Sequence, residues 1–135
     1  MEKQEYFEVG DFAKMTAENI DKIAEKWGEN FAKEIKTNQI RNVFSSIAAI
    51  RNDFVKSKRY TDEIQTNLIM LKPKLAYAVG RSSGKAQEKY RRFKGLLEEA
   101  IDKITGSNDH KKAMENFFFL AEALVAYHKY YGGRD

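Results

Sequence analysis

A chain of 135 residues has room for one domain of ordinary size, and its 42% hydrophobic and 13% aromatic content excludes disorder by composition. The absence of cysteine excludes disulfides, thiolate nucleophiles and cysteine-held zinc or iron–sulfur centres. The net charge is +4, yet residues 72–94 alone carry eight basic side chains against Glu88, a balance of +7 that exceeds the whole surplus.

One proline and long alternations of Lys/Glu with Ile, Leu and Phe point to an all-α fold, a compact bundle of five to six helices, rather than a turn-rich sandwich or barrel. Residues 1–15 mix acidic side chains with Tyr6, Phe7, Val9 and Phe12 in no clear period. They read as an irregular or flexible N-terminal arm, with residues 16–135 as a single helical-bundle domain. Thr16 is placed to cap a first helix, in which Ile20, Ile23, Ala24, Trp27, Phe31 and Ile35 recur on one face. Thr37 is placed to cap a second, with Ile40, Val43, Phe44, Ile47, Ile50 and Phe54 inside. The cations Lys56, Lys58 and Arg59 follow at its end, where they suit the helix dipole. Thr61, Asp62 and Glu63 open a third helix through Ile64, Leu68 and Leu71. A break is expected near Lys72, with Pro73 at the first position of a short fourth helix that reaches Gly80. Ser82, Ser83 and Gly84 read as a loop. A fifth helix carries Ala86, Tyr90, Phe93, Leu97, Ala100, Ile101 and Ile104 and stops at Gly106. The last runs from Asp109 to Gly132 and Gly133, where glycine can adopt the left-handed conformation that closes a helix.

The inventory of reactive side chains is thin. His110 and His128 are the only histidines, and the sequence has no His-Glu-x-x-His pair, no Gly-x-Ser-x-Gly elbow and no glycine-rich phosphate loop. His110 reads as a solvent-exposed residue of a first helical turn. His128 falls on the core face with Ala113, Phe117, Ala121, Leu124 and Tyr131, where a histidine satisfied by a neighbour is expected over a general base. Glu98, Glu99 and Asp102 are interleaved with Arg91, Lys94 and Lys103, as on a solvated face. No catalytic residue, metal site or cofactor is expected, and the chain is not expected to be an enzyme. With neither a signal peptide nor a run of about 18 apolar residues, its expected location is the cytoplasm.

The basic segment is the better candidate for function. A localised positive field suits a polyanion, because neutralising phosphates releases counterions. Lys85, Lys89 and Arg92 align along one side of the fifth helix, and Arg81 precedes them across the loop. The alternative is an ordinary solvated Lys/Arg face, for which Glu88 is the only acid close by. On the second helix Arg41, Ser45, Ala48 and Asn52 form a small polar flank, while Arg51 falls within the apolar face. Such an arginine is snorkelling, paired inside the bundle or aimed at a partner. The last helix has a second apolar stripe, Phe119, Ala123, Ala126 and Tyr130, suited to an interface with copies of itself or with a larger assembly.

Three strings carry a family resemblance: Thr37-Asn38-Gln39-Ile40-Arg41, the run from Leu71 through Pro73 and Tyr77 to Arg81, and Ala126-Tyr127-His128-Lys129-Tyr130-Tyr131-Gly132-Gly133. Together, across residues 35–133, they resemble the small subunit of type III-A CRISPR effector complexes, the Csm complexes. The resemblance implies a helical bundle without catalytic activity of its own, present in more than one copy beside the backbone subunits and the large subunit. It would face the guide RNA and its paired target RNA in antiviral defence. The expected partners are therefore guide and target RNA through their phosphates, the backbone and large subunits, and other copies of the chain, with no membrane. Target cleavage in such complexes belongs to the backbone subunits, and DNA cleavage and cyclic oligoadenylate synthesis to the large one. Of the matched positions, Arg41, Lys72, Lys74 and Arg81 are those suited to touch RNA; Lys85, Lys89 and Arg92 come from the charge pattern alone. Complexes that read sequence by base pairing need shape and phosphate contacts from their proteins, and a diffuse Lys/Arg stripe with few exposed aromatics suits that role. Two other classes stay open: a generic single-stranded RNA-binding or DNA-binding helical module, and a structural adaptor that binds protein through Phe119 and Tyr130.

Overall fold

A computed structural model describes residues 6–133; residues 1–5, part of the expected arm, and 134–135 lie outside the described residues. Those described form six α-helices and one 3-10 turn, with no strand: the turn Phe12–Lys14, then α1 (Ala17–Phe31), α2 (Thr37–Ser57), α3 (Asp62–Ile69), α4 (Leu71–Arg81), α5 (Gly84–Thr105) and α6 (His110–Tyr130). The all-α bundle expected from composition is thus the observed architecture.

Side-chain caps set most of the starts. Thr16 accepts from the Asn19 N–H, Thr61 from that of Ile64 and Asp109 from that of Lys112, each satisfying a first-turn donor that no helical carbonyl can reach. The start of α2 differs from expectation. Its cap is Lys36, and Thr37 is the first helical residue, buried with its hydroxyl unpartnered among the described residues. The Gln39 side chain instead accepts from the Lys36 N–H at 3.2 Å. The break between α3 and α4 falls at Met70 rather than Lys72. Pro73 is therefore the third residue of α4, still inside the first turn, where its missing N–H has no helical partner to lose.

The core is organised around α5 and α6. Phe93, Leu96, Leu97, Ala100, Ile101 and Ile104 of α5 are fully buried, as are Ala113, Met114, Phe117, Leu120 and Leu124 of α6. α1 and α6 run side by side in the same direction: Asn116 donates to the carbonyls of Phe12 and Met15 at one end, and Gly28 meets Tyr127 and His128 at the other. The segment before α1 is irregular apart from its one 3-10 turn, yet Phe7, Phe12 and Met15 belong to the core. Glu99 holds it there. Its carboxylate, 7% exposed, accepts from the Phe7 N–H at 2.8 Å and the Tyr6 N–H at 3.0 Å. This corrects the solvated-face expectation for Glu99; Glu98 does face solvent in part and pairs with Lys94. His110 is likewise half-buried rather than exposed, stacked on Tyr60 with ring centroids 4.3 Å apart.

Candidate nucleic-acid interface

Leu71 and Leu75 anchor α4 to the bundle. With those positions turned inward, Lys74, Tyr77 and Arg81, at steps of three and four, share a flank directed toward α2. Gln39, Asn42 and Ser46 of α2, again at steps of three and four, face them. Between the two rows lies a groove of about 260 Å³, with Tyr90 of α5 in its lining. Lys74 crosses it to donate to the Ser46 hydroxyl at 3.1 Å. The Arg81 guanidinium lies 5.5 Å from the centre of the Tyr77 ring, a cation–π arrangement. Tyr77 is 68% exposed, a large aromatic surface left in water. Tyr90 is the opposite case: 3% exposed, with its hydroxyl unpartnered among the described residues. Burial pushes that phenol up to about 12, and the nearby Arg81 charge works against the shift.

The other candidate residues lie elsewhere. Arg41 is exposed on α2 but does not line the groove. Lys72 turns toward α5 and pairs with Asp102 at 2.5 Å. Lys85 is exposed on the first turn of α5. Lys89 is half-buried and donates to the Asn30 side chain of α1 at 2.8 Å. Arg92 pairs with Glu88 one turn earlier at 3.5 Å. Apart from Arg41 on α2 and Lys85 at the start of α5, the candidate cations divide between the α2–α4 groove, the α4–α5 seam and the side of α5 that carries Lys89 and Arg92. Sequence reasoning missed Gln39, Asn42, Ser46, Tyr77 and Tyr90. Tyr77 was the findable one: it stands off the Leu71, Leu75 period, so α4 was bound to expose an aromatic in the middle of the basic segment, against the expectation of few exposed aromatics.

On the opposite flank of α2, Arg51 is resolved as a cross-helix partner of Glu122 on α6, with both side chains half or more exposed. The second stripe of α6 is open, Phe119 at 54% and Tyr130 at 77% exposure. His128 is buried, its Nε2 at 2.6 Å from the Ile35 carbonyl, and burial lowers its pKa below the ordinary value. The expected neighbour, a backbone carbonyl, satisfies Nε2 alone; Nδ1 is buried without a partner among the described residues. Among the described residues no three His, Asp or Glu side chains gather as a metal site, and no helix is long and apolar enough to cross a membrane.

Comparison with curated proteins gives no match. A family model described as Csm2 Type III-A matches residues 14–134, from the 3-10 turn to the end of the last helix and beyond.

Proposed function

The chain belongs to the Csm2 Type III-A family, the small subunit of the type III-A Csm complex, and from that premise we propose that it acts without catalysis of its own, lining the path of the guide RNA and its target. The observation that carries this is the concentration of cations over α4 and the first half of α5, +7 within residues 72–94. Lys74, Arg81, Lys85 and Arg91 are the exposed members of that group, and the first three meet RNA phosphates directly. Lys72, Lys89 and Arg92 join them by exchanging a protein oxygen for a phosphate oxygen, and Arg41 adds a contact from α2. Such contacts position the protein without reading bases. The open Phe119 and Tyr130 stripe favours a second element of the role, seating against neighbouring subunits or copies in the assembly.

Ribonuclease protection of the guide RNA in a reconstituted complex tests the proposal. A chain carrying Lys74→Glu, Arg81→Glu and Lys85→Glu should still enter the complex through its apolar surfaces, while a stretch of guide or target RNA becomes cleavable. Unchanged protection with the variant incorporated would contradict RNA contact by this face.

A further inference from the structure

We propose that the groove between α2 and α4 is a pocket for one unpaired ribonucleotide, its base on the open face of Tyr77, its edge within reach of the Tyr90 hydroxyl, and its phosphate on Lys74 and Arg81. The inference rests on the RNA-contact reading and goes beyond it, since phosphate contacts alone need neither tyrosine.

Three observations converge on it. The first is Tyr90, a residue of the groove lining whose buried hydroxyl has no partner among the described residues. A buried polar group without a partner is costly, and phenylalanine would avoid that cost. The hydroxyl is a donor and acceptor left free on a residue of the groove lining, so a ligand that opens this wall slightly gains a hydrogen bond there. The second is Tyr77, whose ring is 68% exposed on a helix otherwise anchored by leucines. Arg81 lies against it, which fixes the ring and places a cation beside it. An aromatic face next to a guanidinium is the pairing that receives a base together with its phosphate. The third is the opposite wall. The Asn42 amide offers a donor and an acceptor and the Gln39 amide, its oxygen engaged by the Lys36 N–H, adds a donor, the chemistry of a base edge, where an acidic peptide would need cations only. A base in a duplex is already stacked and paired, so the groove selects nucleotides that are not.

The test uses the full chain and a single-stranded oligoribonucleotide carrying 5-iodouridine, irradiated and mapped by peptide mass spectrometry, beside equilibrium binding of the same RNA. The crosslink should fall on Tyr77. Tyr77→Ala should weaken binding of the single strand by about tenfold or more, from the loss of one stacked base, and leave binding of a fully paired duplex unchanged. Tyr90→Phe should weaken it about fivefold, the worth of one hydrogen bond, while its melting temperature stays equal to or above that of the parent. That combination separates a ligand contact from a structural role. Binding unaffected by both substitutions, with crosslinks elsewhere, would overturn the pocket and leave the phosphate-contact reading standing. No RNA binding by the folded parent would overturn both. Binding of polyglutamate with the same dependence on Tyr77 and Tyr90 would assign the groove to an acidic peptide instead.

Discussion

Glu99 and His128 place polar groups in the core for opposite electrostatic reasons. The Glu99 carboxylate takes the backbone donors of residues 6 and 7, and so ties an irregular segment to α5. Removing it strands two N–H groups in a half-buried setting. Glu99→Ala should cost about 2–3 kcal/mol in urea unfolding, with faster amide exchange at Phe7 as the local signature; exchange at Phe7 unchanged from the parent would refute the tie. His128 has its folded pKa lowered by burial, so the unfolded chain takes up the proton first. Its contribution is present above the unfolded value of about 6.5 and is lost as pH falls through that value toward the folded one. The melting temperature should drop between about pH 7.5 and pH 5.5, above the range of ordinary carboxylates. In His128→Gln, which can still donate to the Ile35 carbonyl, the curve should be flatter over that window. Parallel curves for the two proteins would assign the dependence to another group.

At the scale of elements, the pairing of α1 with α6 depends on Gly28. A Cβ there would come within 2.7 Å of the Tyr127 Cβ and 2.9 Å of the His128 nitrogen. Alanine is the better helix former, yet Gly28→Ala should destabilise by about 1–3 kcal/mol because the two backbones must separate; a stability equal to or above the parent's would show that the helices can shift at no cost. The sequence carries no sign of this approach. Periodicity reports which face of a helix is apolar, not which helix it meets. It did place the starts of α1, α3 and α6 and the end of α5 closely, because Thr16, Thr61, Asp109 and Gly106 terminate helices by local chemistry, whereas Ile35, expected on the first helix, lies beyond its end at Phe31. It misplaced the α2 cap and the break before α4. In the first case a lysine backbone paired with Gln39 outcompetes a buried threonine, and in the second proline is tolerated anywhere in a first turn. Glu99 was misread because its partner, an aperiodic segment, gives no signal that it will cover α5.

Over the whole molecule, charge along the chain does not become one stripe on the surface. The folding of α4 against α2 and of α5 against α1 distributes the +7 segment over a groove, a seam and an edge, and pairs Lys72 and Arg92 with acids. The cations were legible in the sequence as a count and as a period on one helix. The groove was not, since Gln39 and Tyr77 lie far apart in the chain and meet only through the bundle. The central claim is that the exposed cations of α4 and α5 bind RNA through its phosphates, and the most direct measurement is the affinity of the full chain for two unrelated single-stranded RNAs across a salt series, beside Lys74→Glu, Arg81→Glu, Lys85→Glu. The account predicts a linear fall of log affinity with log salt for the parent and a slope shallower by about 2 in the triple variant, with the same loss for both RNAs. A slope unchanged by the three substitutions, or a loss confined to one RNA sequence, would contradict it.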